Sequence, residues 1–518
     1  MPDELAPRRH RSLAVLLCVA VLGTVPFSAA EKGTVPVSRH RAVGIVVDQL
    51  AAWVAEERLA KLPKDGGFAR LLKGGTWIKR CEYQHALTET APAHAALYTG
   101  RTPRESGISA NEVKRKDGRV ASLLDDADTQ LVGPDGPIPR RSGVSLKQLL
   151  VPTISESLLA RDPQSVVISI STKARGAVFA GARVKPGQRP PEVVWWDERT
   201  SQVVTSTAFA SKLPAWVIQP ILPNEFRWEV DVKVPRLAGT PDDGEGEAED
   251  LGGRSFPHVF GLDGRDFRVT ALADDLTVDL ALAAVRANPT QGHPTLLALS
   301  FSRFDYVGHR FGPESWESWD ALLELDRALA RLFAGLDAIW GKDAYAVVLS
   351  ADHGVSPLPE WLEKEPAWCR GAADPYERPC KPGVRLSSTK LGSTDAFVYG
   401  ERSSEREAQL AAEPGVARVL DICKIDPKRS ELERWVYGSG PPCDGAANDQ
   451  LVPAYYVVPE RGSFFTGPPD VTSHGTPYRY DRTGPLIVRY ERTIRPVRDP
   501  EPTFRSFYRA LWYALAGS

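Results

Sequence analysis

Tyr345-Ala346-Val347-Val348-Leu349-Ser350-Ala351-Asp352-His353-Gly354 is the stretch on which the reading of this chain turns. Tyr345 to Leu349 has the length and unbroken hydrophobicity of a strand buried on both faces of a parallel sheet, and Gly354 then turns the chain. Open α/β sheets gather ligands at the carboxyl ends of their strands. An aspartate and a histidine side by side at that end are placed to hold a metal, although the pair alone reads more simply as a solvated loop. Other segments of the same kind decide between the two.

Working outward, Ala42 to Val47 is a second continuous apolar run, ending at Asp48; that carboxylate either caps the helical pattern beginning near Ala51 or serves as a ligand. Thr295 to Ser300 is a third run, followed by Asp305 and His309. Four residues apart, these two share a face on one turn of helix and form either a surface pair or a metal pincer. Val166 to Ile170, after a short helix from Ile154 to Ala160 capped by Thr153, leads to Lys173 and Arg175. On an extended segment their side chains share a face, which makes them two solvated cations or a phosphate clamp. In Leu87-Thr88-Glu89-Thr90-Ala91-Pro92-Ala93-His94, Pro92 suits a first helical turn, so Thr90 falls at a helix N-terminus, where backbone N–H groups favour an anion or Thr90 simply caps. His94 reads as structural. Asn111 is a turn residue or an amide donor, and His474, between Ser473 and Gly475, is a surface imidazole or one further ligand.

The chain of 518 residues is long enough for one large α/β domain with insertions. A hydrophobic fraction of 42%, a charged fraction of 25% and a net charge of -2 give no reason to expect nucleic acid or an anionic membrane as partner. Nothing in the chain specifies an oligomeric state. Residues 1–30 read as a signal peptide: Arg8, Arg9 and Arg11 precede the apolar Leu13 to Leu22, and Ser28-Ala29-Ala30 is a small-residue cleavage site. The mature protein is expected in the periplasm or secreted, without stable membrane association after cleavage. Among the cysteines, Cys369 with Cys380 and Cys423 with Cys443 have the spacing to close short loops, Cys81 remains, and no C-x-x-C pair argues for a thiolate metal site. Insertions are expected near 180–270, with Trp195-Trp196-Asp197 and Trp216 as its aromatic packing, and near 357–468, with a small sheet including Ala396 to Tyr399 and Tyr455 to Val458. Pro241 to Gly253, acidic and Gly-rich, reads as an exposed loop. The tail returns to the core through a strand, Pro485 to Tyr490, and a helix, Phe504 to Ala516.

The series Asp48, Thr90-Ala91-Pro92-x-His94, Asp305-x-x-x-His309, Asp352-His353-Gly354 and His474-Gly475 resembles the alkaline phosphatase superfamily. With Asn111 and Lys173-x-Arg175 it is similar, more narrowly, to the Thr-nucleophile alkaline phosphatases of the phosphate-irrepressible type, and it is related to the nucleotide pyrophosphatase/phosphodiesterases. The resemblance spans roughly Ala42 to Pro477. It implies an α/β, three-layer sandwich with a mostly parallel central sheet and inserted cap regions. It further implies two zinc ions, one held by Asp48, Thr90, Asp352 and His353 and the other by Asp305, His309 and His474. Thr90 would be the nucleophile, passing through a phospho-threonine, with Asn111, Lys173 and Arg175 on the phosphoryl oxygens. Phosphate monoesters are the expected small-molecule substrates, because two added cations favour the more charged ester. The rival expectations are a phosphodiesterase, nucleotide pyrophosphatase or phosphonate hydrolase on the same scaffold, and a zinc-binding protein without turnover.

Overall fold

The computed structural model describes residues 40–239, 241–242, 244–365, 381–490 and 502–517. The strands of its main sheet are β1 (Arg41–Val47), β2 (Thr76–Glu82), β3 (Asp125–Gly133), β4 (Gly136–Val144), β5 (Val166–Ser171), β6 (Glu192–Asp197), β7 (Gln202–Ser206), β8 (Thr295–Phe301), β9 (Ala346–Ser350) and β10 (Thr483–Arg489). They join one ten-stranded sheet in the order β2-β10-β9-β1-β8-β5-β6-β7-β3-β4. β9, β1, β8, β5 and β6 run parallel. Every residue of β1, β5, β8 and β9 is buried, as expected of strands covered on both faces.

Side chains alternate across the sheet and separate two cores. Val43, Ile45 and Val47 pack with helices α3 (Ala271–Ala287), α4 (Arg303–Phe311) and α5 (Trp316–Trp340), whereas Ala42 and Val46 pack with α1 (Thr90–Thr99), α2 (Ala174–Val178) and α6 (Phe504–Ala516). Each fully buried Leu, Ile, Val or Phe contributes about 1.5–3 kcal/mol. The result is the expected three-layer α/β sandwich. Register then positions the site: Val46 pairs with Ser300 and with Ser350, and Ser300 with Ser171, so four strands end level and their following loops meet at one edge.

Between residues 381 and 470 a separate antiparallel sheet forms, ordered Ser393–Thr394, Phe397–Val398, Tyr455–Pro459, Val416–Asp421. Cys423 and Cys443 are disulfide-bonded with Cα atoms 5.5 Å apart, and Cys81 is buried. Cys369, Cys380 and the segment read as a signal peptide lie outside the described residues. Among those described, no helix is long and apolar enough to cross a membrane.

Three expectations change. Trp195-Trp196-Asp197, read as packing of an insertion, belongs to β6 and continues the parallel sheet. The hairpin β3–β4, not anticipated, extends that sheet by antiparallel pairing; it is polar because much of it faces solvent. The segment expected as an exposed loop from Pro241 is instead tied to α4: Ala248 N–H donates to Arg310 O at 2.8 Å, Asp250 pairs with Arg310, and Leu251 is buried.

Candidate active site

The candidate ligands converge at the carboxyl edge of the central strands. Asp48 follows β1 directly, and its N–H donates to Phe301 O at the end of β8 (3.0 Å). α4 begins just after β8 and carries Asp305 and His309 one turn apart, His309 Nε2 lying 3.2 Å from Asp305 Oδ1. Asp352-His353 follows β9. His474 arrives on a loop anchored by Val471 N–H on His309 O (2.8 Å) and Ser356 N–H on Ser473 O (3.0 Å). Asp48, Asp352 and His353 are fully buried, and Asp305 nearly so.

Each of the three imidazoles spends Nδ1 on a backbone carbonyl: His309 on Thr472 (2.8 Å), His353 on Gly354 (3.0 Å) and His474 on Thr88 (2.9 Å). This fixes each ring and leaves Nε2 as the free ligand atom, the orientation metal-binding histidines take. His353 Nε2 lies 3.3 Å from Asp48 Oδ1, and His474 Nε2 lies 3.8 Å from Asp305 Oδ1. Two donor groups, each with ligand atoms within 4.8 Å of one another, result: Asp305, His309 and His474, and Asp48, Asp305 and His353. The second group differs from the division expected from sequence: Asp305 reaches both groups, and Asp352, expected beside Asp48 and His353, falls in neither. Asp48 Oδ1, Asp352 Oδ2 and His353 Nε2 are buried without a hydrogen-bond partner. Orphaned buried donors and acceptors of this kind are costly unless something else satisfies them. The carboxylate–imidazole set, without thiolate, fits a divalent metal such as zinc.

Lys173 Nζ lies between the groups, 2.7 Å from Asp48 Oδ2 and 2.5 Å from Asp305 Oδ2. Burial works against its charge, but Asp305 and Asp48 raise its pKa above the ordinary lysine value. Burial likewise pushes His309 and His353 down, yet Asp305 for the first and Asp352 and Asp48 for the second hold each at about 9. His474 is held well below the ordinary histidine value by burial and by His353 and His309. Burial, Asp305 and Asp352 raise Asp48; Asp305 falls well below the usual carboxylate range, Lys173 and His309 overcoming its burial.

Thr90 is the first residue of α1, and the cap position is Glu89, so Thr90 does not cap. Its helix end is poorer in donors than expected: Pro92 has no N–H, and Ala91 N–H is taken by Asn111 Oδ1 at 2.8 Å. Asp48 does not cap either, since the following helix Ala52–Arg58 is capped at Ala51. Thr90, Asn111, Lys173, Arg175, Asp305, His309 and His474 line one cavity of about 340 Å³. Lys173 and Arg175 reach it by a different route from the extended pair expected: Lys173 is extended at the start of α2, whereas Arg175 is already helical.

His94 is not a ligand. Its Nε2 bonds Ser300 Oγ (3.0 Å) and its Nδ1 bonds Thr90 O (2.9 Å), which occupies both ring nitrogens within the protein. Gln49 escaped the sequence reading. Its N–H donates to Asp352 Oδ1 (3.1 Å) and its amide to Asp305 Oδ1 (2.9 Å), linking these two carboxylates from a left-handed backbone (φ 66°) that is unfavourable for most residues but Gly. The available signal was Gly308: a Cβ there would lie 1.9 Å from Gln49 Oε1, so glycine before His309 leaves room for the Gln49 amide as placed.

Residues 42–476 match the family described as type I phosphodiesterase / nucleotide pyrophosphatase. The alkaline phosphatase PhoV of Synechococcus elongatus is 31% identical over 410 residues, covering 75% of this chain and 70% of that protein. The alkaline phosphatase PafA of Elizabethkingia meningoseptica is 29% identical over 368 residues, covering 66% and 64%. The alkaline phosphatase PhoD of Zymomonas mobilis is 27% identical over 530 residues, covering 91% and 86%. The crystal structure of wild-type PafA superposes with a TM-score of 0.72 at 22% identity, covering 92% of this chain and 96% of that one, which establishes a shared fold. The chain belongs to the type I phosphodiesterase / nucleotide pyrophosphatase family of the alkaline phosphatase superfamily, and is a phosphoesterase of that superfamily.

Proposed function

We propose that this chain is an exported, zinc-dependent phosphomonoesterase that transfers the phosphoryl group through Thr90. The observation that carries this reading is the meeting of Thr90, the Asp305–His309–His474 group and the cations Lys173 and Arg175 on a single cavity, with Asp48 and His353 gathered on Asp305 behind it. Asp48, Thr90, Asp352 and His353 would hold one zinc ion and Asp305, His309 and His474 the second, with Asp305 close to both. Bound zinc would supply Lewis acidity to the threonine oxygen and to the departing ester oxygen.

Thr90 Oγ1 gives up its proton to solvent and bonds to phosphorus as the bond to the ester oxygen breaks; that oxygen takes up a proton and leaves, and water then hydrolyses the phospho-threonine to phosphate and the Thr90 hydroxyl. Asn111, Lys173 and Arg175 provide donors and positive charge for the non-bridging oxygens, whose negative charge they hold in place. The Nδ1 bonds of His309, His353 and His474 keep those rings oriented through the cycle. The substrates are small phosphate monoesters, with neither nucleic acid nor a membrane as standing partner. Export is supported by the Arg-rich, apolar and Ser-Ala-Ala sequence of the first thirty residues and by the Cys423–Cys443 disulfide.

A second reading, diester hydrolysis, is favoured by one feature. The cavity adjoins a cleft of about 410 Å³ that shares Lys173, Arg175, Arg268 and Tyr306 and has room for a second esterified group. Turnover of an aryl phosphate and of its methyl diester separates the two, and strong diester preference overturns the monoesterase assignment. Thr90→Ala should lower kcat by at least about 10³-fold, the scale on which nucleophile loss acts. Undiminished hydrolysis by that variant rejects the nucleophile.

A further inference from the structure

Glu89, next to Thr90, is almost wholly buried (4% exposed). Its Oε2 accepts the backbone N–H of Asn111 at 2.6 Å. Asn111 Oδ1 in turn accepts Ala91 N–H at 2.8 Å, which commits that oxygen and leaves Nδ2 as the side chain's donor. The Glu89 side chain lies against Gly475, the neighbour of His474, where an added Cβ would meet its Cγ at 3.7 Å. From the other side its carboxyl meets Asp395, in the two-residue turn joining Ser393–Thr394 to Phe397–Val398 of the smaller sheet. One side chain thus touches the backbone of Asn111, the His474 loop and a hairpin of the inserted sheet, and its own backbone leads into Thr90.

Resting on the reading of Thr90 as nucleophile and Asn111 as phosphoryl donor, we propose that Glu89 is a positioning residue: it fixes Asn111 beside Thr90 so that the Asn111 amide faces the phosphoryl oxygens. Glu89 touches no substrate atom; it acts through Asn111. The role requires an acceptor oxygen at this position and not a charge, so glutamine, which keeps that oxygen, replaces it and alanine does not.

The test uses the full chain loaded with zinc and four variants: Glu89→Ala, Glu89→Gln, Asn111→Ala and the Glu89→Ala/Asn111→Ala double variant. The readouts are kcat/KM on an aryl phosphate, calorimetric binding of inorganic phosphate, and the thermal midpoint. Displacing a donor to the transferring group costs about 10²-fold in rate. Glu89→Ala and Asn111→Ala should each lose about that factor, Glu89→Gln should recover most of it, and the double variant should stay within about threefold of Asn111→Ala, because both act through one contact. Losses that multiply in the double variant, or a Glu89→Gln variant as impaired as Glu89→Ala at an unchanged thermal midpoint, overturn the proposal and leave the phosphatase reading intact. If the parent hydrolyses neither monoester nor diester while phosphate binding shows the same coupling, the positioning role stands and the assigned reaction falls.

Discussion

Replacing Lys173 with methionine removes the positive charge lodged between Asp48 and Asp305 while nearly preserving volume. The ammonium sits 2.7 Å from one carboxylate and 2.5 Å from the other, and all three side chains are almost fully buried. Breaking a buried pair by deleting one partner costs about 3–5 kcal/mol, since the remaining charge is left uncompensated. Unfolding entropy near 2.1 cal/mol/K per residue gives a chain of this length about 1 kcal/mol/K, so the midpoint should fall by about 3–5 °C. Zinc would neutralise the same carboxylates, so the deficit should shrink to about 1 °C or less when metal is bound. Differential scanning calorimetry of parent and Lys173→Met, each in chelator and in excess zinc, measures both differences. A variant as stable as the parent in chelator, or equally impaired with and without zinc, refutes the reasoning.

Metal affinity should rise with pH. Neighbouring carboxylates hold His309 and His353 at about 9, so each releases a proton when it binds metal. Zinc affinity in a chelator competition should therefore tighten from pH 7 to about 9 and then level off, and a flat profile contradicts the assigned ligands. The same raised values stabilise the metal-free fold below the ordinary histidine pKa of 6.5, a contribution lost as pH rises through about 9; a metal-free midpoint that climbs over this range would reverse the sign. Gly308→Ala should leave the fold intact, because the new Cβ meets the flexible end of Gln49. It should nevertheless break the Gln49–Asp305 bond and weaken zinc binding by about 10- to 100-fold, the usual scale for a lost support of a ligand. Unchanged affinity in that variant, measured by the same competition, excludes the supporting role of Gln49.

The sequence carried the central strands openly, because strands buried on both faces are predominantly apolar, as are those that precede Asp48, Asp305 and Asp352. The Asp305–His309 pair was equally legible, since one helical turn fixes its geometry. The hairpin β3–β4 was hidden by its solvent-facing, charged residues, which read as loop. The destination of Lys173 was hidden for a different reason. Its partners Asp48 and Asp305 lie more than a hundred residues away in sequence on either side, and only the level ends of β1, β5 and β8 bring them together. Gln49 and Glu89 carry no motif of their own; their roles arise from contacts with residues 256 and 22 positions away.

Anomalous diffraction at the zinc edge from crystals grown with zinc tests the central claim most directly. The account predicts two strong peaks at the carboxyl edge of the sheet, one within bonding distance of Asp48, Thr90, Asp352 and His353 and the other of Asp305, His309 and His474. A single peak, or peaks remote from the Thr90 hydroxyl, would contradict it.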